Sequence, residues 1–322
     1  MPAPRVLFVK LSSLGDVIHH LPAVTDLHAR RPEVAVDWAV EEGYAPLVRM
    51  HPAVHAAIPV ALRRLKAGVL SPSAWGALAG TRRQLAAQPY DWIVDAQGLL
   101  KSVAVARLAR GPLFGFDRGS IREKAAARFY DVGLSVPRNL HAVERNRRLV
   151  GAIFGYTPEG PPDYGLAAPP RAPEWAPQRR YVVALHASSR KEKGWPADRW
   201  TDLANHLRSE GIAVVYPGGT DAERRVAARL AAEVDGATVA PPMSLPEAAA
   251  LLANACAVVG VDTGLTHLSV ALGTPTVGLY LATKPGLTGL HGRTGAVNLG
   301  GVGNAPTTGE VMQVLLGASF PA

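Results

Sequence analysis

The chain has 322 residues, 48% hydrophobic and 19% charged, with one cysteine and a formal net charge of +8. That length predicts two domains of about 150 residues each, and that composition argues against disorder. A lone Cys256 cannot form an internal disulfide, no run of eighteen apolar residues offers a transmembrane helix, and the apolar run before Lys10 is too short for a signal peptide. A cytoplasmic location is expected.

Residues 5–11 read as a buried strand, residues 12–15 as a tight loop and residues 17–29 as a helix. Further strands are expected at 34–40, 58–60 and 92–95, with helical patterns between and after them. Residues 156–178 are rich in Pro and Gly without periodicity and read as a linker. The expected division is therefore 1–160, a linker at 161–178, and 179–322, with the last helix free to pack back on the first domain. The second half offers a strand at 181–186, a helix opening on Pro196, a strand at 213–216 and a helix at 221–232. Ser244-Leu-Pro-Glu247 is a capping box, in which hydroxyl and carboxylate satisfy each other's backbone donors. A strand at 257–261, a helix at 265–272, a strand at 276–280 and a last helix near 310–316 follow. Both halves read as doubly wound α/β units, whose ligands sit outside the carboxyl ends of the strands. The cleft between the two domains is the expected site.

The most informative string is Val258-Val-Gly-Val-Asp262-Thr-Gly-Leu-Thr-His267. A strand that breaks at Asp-Thr-Gly and continues as a helix leaves the N–H groups of Thr263 and Gly264 at a helix N-terminus, where phosphate is favoured. Aspartic proteases carry the same triplet, but in an all-β setting with two carboxylates sharing a proton; here it occurs once and joins strand to helix. The plainer role for Asp262 is an N-cap.

Three more polar turns follow strands, at residues 12–16, 187–193 and 217–223, and all four would lie on one edge. There is no G-x-x-x-x-G-K-[ST] and no G-x-G-x-x-G after a strand, which disfavours a P-loop and a nicotinamide oxidoreductase. Zinc-ligand spacing is missing, and His19 and His20, adjacent on a helix, would point to different sides. A metal-free reaction is expected, with diphosphate charge met by Lys193, the Ser188 and Ser189 hydroxyls and helix N-termini. Asp16, at the mouth of the first helix, is either an N-cap or a base that takes a proton from an acceptor hydroxyl.

Charge is uneven. Residues 1–165 carry 21 Lys+Arg against 14 Asp+Glu, a net +7, while residues 166–322 carry 13 against 12, a net +1. The excess lies at Arg63, Arg64 and Lys66, at Arg118, Arg122, Lys124 and Arg128, and at Arg145, Arg147 and Arg148. It favours a polyanionic partner: nucleic acid, an anionic membrane surface, or a substrate bearing carboxylates and phosphates. An aromatic content of 6% and the lack of a nucleic-acid module weigh against the first.

Seven strings occur in order: residues 9–16, 38–43, Asp95-Ala-Gln-Gly-Leu-Leu-Lys-Ser102, His141-Ala-Val-Glu-Arg145, His186-Ala-Ser-Ser-Arg190, 243–245 and 261–267. Together they resemble the heptosyltransferases of glycosyltransferase family 9. The resemblance implies an α/β GT-B fold, two Rossmann-like doubly wound domains facing each other across a cleft, with acceptor on the first and donor on the second. It implies an inverting, metal-independent transfer of L-glycero-D-manno-heptose from ADP-L-glycero-β-D-manno-heptose to the first Kdo of Kdo2-lipid A, in lipopolysaccharide inner-core synthesis, without a cofactor. A paralogue that adds a later core heptose is the near alternative. Kdo carboxylates and lipid A phosphates would account for the basic first half, and a lipid acceptor implies attachment to the cytoplasmic face of the inner membrane.

By matching position, the resemblance makes Asp16 the catalytic base. It places Ser188, Ser189, Lys193, Glu223, Met243, Asp262, Thr263, Gly264 and His267 on the donor, with Lys193, Thr263 and Gly264 at the diphosphate, Glu223 at the ribose and Met243 at the adenine. It places Arg63, Arg64, Lys66, Arg122, His141 and Arg145 on the acceptor. For His141 and Arg145 the plainer role is packing on a helix surface at i, i+4. The chain departs from the family at Ser188-Ser189, where a Thr pair is usual, and at Lys191-Glu192, where an acidic pair is frequent. It departs further at Tyr280-Leu-Ala-Thr-Lys284-Pro-Gly, where Tyr-Gly-Pro-Thr-Asp-Pro is the tendency and Lys284 reverses a charge.

Overall fold

Among the described residues, each half of the chain builds one six-stranded, wholly parallel sheet. In the first, β1 (Arg5–Val9), β2 (Ala35–Glu41), β3 (Val54–Val60), β4 (Trp92–Asp95), β5 (Leu113–Phe116) and β6 (Val132–Leu134) lie in the order β3-β2-β1-β4-β5-β6. In the second, β7 (Tyr181–Leu185), β8 (Ala213–Tyr216), β9 (Thr238–Val239), β10 (Ala257–Val261), β11 (Thr276–Tyr280) and β12 (Ala296–Gly300) lie in the order β12-β11-β10-β7-β8-β9. Counted within its own half, each sheet has the doubly wound order 3-2-1-4-5-6. The repeat is one of topology that the two sequences do not show.

The structure is a computed structural model that describes residues 3–67, 72–188, 190–292 and 295–317. Two compact units divide between Leu166 and Ala167, inside the Pro-rich segment read as a linker. The helix Thr308–Leu316 lies against the helix Ala197–Ser209 and β11, within the second unit. Among the described residues no helix is long and apolar enough to cross a membrane.

Strands β5, β6, β9 and β12 add to the sequence reading. They are short, and β6 and β12 are only partly buried, so their apolar signal is weak. The helix expected over 17–29 is two helices, Leu14–Ile18 and Leu21–Arg30. Pro22 is the reason. Without an N–H it cannot donate to the carbonyl four residues back, so it stands in the first turn of a new helix. The last helix begins two residues before Glu310, because Thr307 is its N-cap and Glu310 the acidic member of a capping box. The Ser244–Glu247 box forms as expected.

Arg147 is not part of a free basic face. Its side chain is 2% exposed and fastens three segments of the first unit. It donates to both Asp26 oxygens (2.7 and 3.3 Å), to Glu144 (3.0 Å), and to the carbonyls of Glu159 (2.9 Å) and Gly160 (3.0 Å). The helix Ala142–Phe154 is thereby tied to Leu21–Arg30 and to the start of the Pro-rich segment. The first basic half therefore carries less unpaired charge than its composition suggests.

Two positions carry predictions about stability. A Cβ on Gly260 would lie 2.4 Å from Thr266 Oγ1 and 2.9 Å from Leu185 Cβ. Gly260 thus lets β10 meet both β7 and the helix Gly264–Ala271 at close range. Gly260→Ala is expected to cost about 1–3 kcal/mol in urea denaturation. His20, fully buried, sits edge-on to Phe8 (4.7 Å) and Trp38 (5.0 Å). Burial, and after it the charge of Lys10, bring its pKa down from 6.5 to about 3. The unfolded chain takes up this proton near 6.5 and the folded chain does not. The contribution is therefore complete above 6.5 and lost as pH falls toward 3, about 2 kcal/mol between pH 7 and 5. His20→Phe should flatten the fall of stability over that interval by about the same amount.

Candidate active site

In an open parallel sheet the ligand crevice forms where strand order reverses. That point lies between β1 and β4 in the first unit and between β7 and β10 in the second. Each holds part of the expected constellation.

At the first, β1 runs out through Lys10 and Leu11 to Ser13, the N-cap of Leu14–Ile18. Asp16 is therefore not the N-cap but the third residue of the helix, where its carboxylate reaches back. Asp16 Oδ2 accepts from Ser13 N (2.9 Å) and Ser13 Oγ (3.0 Å). Both bonds fall on one oxygen, and a carboxylate has a second with which to take a proton. Lys101 Nζ donates to Ser12 Oγ at 3.1 Å, a contact the sequence reading did not assign. Lys10 is buried, with Nζ on the Ala96 carbonyl at 2.7 Å. Burial lowers its pKa; Asp16 and Asp95 act against this, and Arg145 and Arg122 with it. Asp16, Arg122 and Arg145 therefore share one electrostatic neighbourhood.

The other acceptor candidates divide. Arg145 donates to the Ser120 carbonyl (2.5 Å) and lies over the Phe116 ring (4.7 Å). His141 is the N-cap of Ala142–Phe154, its Nδ1 accepting from Val143 N at 3.2 Å, and its ring meets His19. Neither is a bare helix-surface residue. Arg122 is exposed. Arg63 bonds Tyr44 Oη and stacks over that ring at 5.0 Å, while Arg64 pairs with Glu42 at 2.5 Å. These two, read as free cations, have partners within the first unit. Lys66 belongs to the helix Leu62–Ala67; its side chain lies outside the described residues.

At the second switch point, β10 ends at Val261 and the helix Gly264–Ala271 follows with Thr263 as its N-cap. Asp262 is thus not the cap. It is the centre of a cluster: Oδ2 accepts from Lys193 Nζ (2.7 Å) and Thr283 Oγ1 (2.8 Å), and Oδ1 lies 3.5 Å from His267 Nε2. The Asp262 side chain is 11% exposed and that of Lys193 18%. Burial pushes the Asp262 carboxyl up, but the bonds from His267, Lys193 and Thr283 and the Lys193 charge outweigh it. The group is held far below the usual carboxylate range. Thr266 Oγ1 donates to the Val261 carbonyl (2.7 Å) and so fixes the turn. The first N–H groups of the helix stand at its positive end, where an anion is favoured.

Elsewhere in the second unit, Glu223 Oε2 accepts from Gly219 N (2.8 Å) and Thr220 N (2.9 Å) in a capping box that begins Asp221–Ala232. His186 is buried, its Nε2 3.3 Å from the Glu223 carbonyl. Met243 is half-buried and Ser188 lies beyond β7, whereas Ser189 is outside the described residues. Thr283 is the member of the Asp262 cluster that sequence reasoning missed. Its signal was a hydroxyl just past the end of β11, next to the strand that delivers Asp262. Among the described residues no three His, Cys, Asp or Glu side chains are grouped to hold a metal ion.

Two doubly wound units built on wholly parallel sheets, the second with a helix N-terminus and a lysine at its switch point, make a GT-B-like α/β fold. The sequence profile of glycosyltransferase family 9 (heptosyltransferase) matches residues 79–314. The chain is 44% identical over 298 residues to lipopolysaccharide heptosyltransferase 1 of Pseudomonas aeruginosa, covering 92% of this chain and 83% of that one. It is similar to the solved structure of E. coli heptosyltransferase WaaC with ADP, at a TM-score of 0.89 and 39% identity over 97% of this chain and 98% of that one. The same enzyme with ADP-2-deoxy-2-fluoro heptose gives a TM-score of 0.86, with the same identity and coverage. The chain belongs to glycosyltransferase family 9 and is a glycosyltransferase.

Proposed function

We propose that this enzyme transfers L-glycero-D-manno-heptose from ADP-heptose to the first Kdo of Kdo2-lipid A, with inversion and without a metal ion. The observation that carries the reading is the cluster of Lys193, Asp262, Thr283 and His267 beside the helix that begins at Gly264. A departing ADP needs cationic and N–H donors where its charge develops, and a preorganised lysine with a helix N-terminus supplies them. Solved relatives with ADP and with an ADP-fluoroheptose support the donor. In the first unit Asp16 takes the proton of the acceptor hydroxyl as it attacks the anomeric carbon, and Arg122 and Arg145 meet the acidic acceptor. Unpaired basic side chains in the first unit favour peripheral association with an anionic membrane.

The test is ADP release from ADP-L-glycero-β-D-manno-heptose by purified protein, with and without Kdo2-lipid A, in the presence of EDTA. Acceptor-dependent release unaffected by the chelator is expected, and mass analysis should show one heptose added to Kdo. Release only with an acceptor that already bears heptose would assign the chain to a later step instead. A loss of rate in EDTA that Mg²⁺ restores would overturn the metal-free reading.

A further inference from the structure

We propose that Gln97 is a positioning residue for the general base, holding the turn from which Ser13 aims the Asp16 carboxylate. The inference rests on the assignment of Asp16 as the base. Strand β1 is paired with β4 only as far as Val9 opposite Asp95, with Ala96 N closing on the Val9 carbonyl at 3.2 Å. Beyond that point the chain must leave the sheet to deliver Asp16, and its next backbone groups have no strand beside them on the β4 side. The Gln97 side chain takes that place. Its Oε1 accepts from Leu11 N (2.8 Å) and Ser12 N (3.1 Å), and its Nε2 donates to the Ser12 carbonyl. One amide thus satisfies three backbone groups, and Gln97 is 7% exposed.

Only a carboxamide does this. Two N–H groups need an acceptor and one carbonyl needs a donor, so a carboxylate of the same shape would set an anion against the Ser12 oxygen. Gln97 is itself held. Asp95 Oδ1 accepts from Gln97 N (2.9 Å) and Gly98 N (3.1 Å), and Asp95 Oδ2 accepts from Ser102 Oγ (2.8 Å) and Tyr130 Oη (2.8 Å). The sequence Asp95–Gln97–Ser12–Ser13–Asp16 is then a chain of bonds running from the core of the first sheet to the base. Bond geometry matters here because a general base must meet its proton within tenths of an ångström, and a shift near 1 Å costs on the order of 100-fold in rate. Among the described residues the carboxylate is bonded to Ser13 alone, so the placement of Ser13 governs the placement of the base.

The test uses Gln97→Leu, which removes all three bonds at similar volume, and Gln97→Glu, which keeps the acceptor and removes the donor. In ADP release with Kdo2-lipid A, Gln97→Leu should lower kcat about 10–100-fold and leave the KM for ADP-heptose within about twofold, with Gln97→Glu intermediate. Combined with Asp16→Asn, Gln97→Leu should add little to the loss, since both act through one base. A readout independent of turnover is hydrogen exchange at the Ser13 amide: it should accelerate in Gln97→Leu while the amides of residues 6–9 keep their protection. Wild-type kcat and unchanged Ser13 exchange would overturn the proposal. So would accelerated exchange through all of β1, which marks a general loss of structure. If Asp16→Asn itself retains full activity, the base assignment has failed, and the Ser13 exchange result still decides whether Gln97 holds the turn.

Discussion

Asp16→Asn should lower kcat about 10²–10⁴-fold while leaving the KM for ADP-heptose within about twofold. The substitution isolates the proton. An asparagine oxygen can still accept from Ser13 N and Oγ, the two bonds Asp16 makes at 2.9 and 3.0 Å, so the cap of Leu14–Ile18 persists. What it cannot do is take the proton of an attacking hydroxyl. Asp16→Ala removes both bonds to the N-cap Ser13 as well, and should add a stability cost of about 1 kcal/mol without a much larger loss of rate. That pair separates chemistry from folding: the two variants should share a kcat and differ in their denaturation midpoints. Donor binding should be spared in both, because every donor candidate belongs to the second unit. Full turnover by Asp16→Asn with Kdo2-lipid A would remove Asp16 as the base and leave acceptor activation to another group.

The architecture was legible because parallel strands buried on both faces leave uninterrupted apolar runs, as in residues 257–261, and because Ser244 and Glu247 announce a helix start by chemistry alone. Strands without such runs were not. Strand β9 has two half-buried residues and β6 is an exposed edge. The strand–turn–helix at Asp262 was legible for a similar reason: a turn between a buried strand and a helix has one orientation of its N–H groups. The partners of Asp262 were harder. Lys193 and Thr283 lie 69 and 21 residues away along the chain, and only the parallel register of β7, β10 and β11 brings their turns together. Cations were the least legible. Composition counts Arg63, Arg64 and Arg147 alike with Arg122, yet the fold gives the first three local partners. Pairing depends on tertiary contacts that a charge sum does not contain.

Those partners decide what should happen at the second switch point, where Lys193→Met is expected to lower kcat/KM about 10²–10³-fold and to weaken ADP binding. Two effects add. On the proposed donor site the diphosphate loses a cation, and Asp262 loses the partner at 2.7 Å that most directly balances its buried charge. A carboxylate left with only Thr283 and His267 repels a diphosphate bound beside it in a region of low dielectric. Removing that carboxylate should therefore repair part of the damage. Lys193→Met with Asp262→Asn is expected to bind ADP more tightly than Lys193→Met alone, although Asp262→Asn alone weakens binding by freeing Lys193, Thr283 and His267 from their common acceptor. The coupling between the two sites should be about 1–3 kcal/mol by titration calorimetry, with the sign of a compensated pair. Strict additivity would mean that Lys193 acts on the diphosphate without reference to Asp262. In that case the carboxylate serves only to fix the Thr283 loop, and Thr283→Val should then reproduce the Asp262→Asn phenotype.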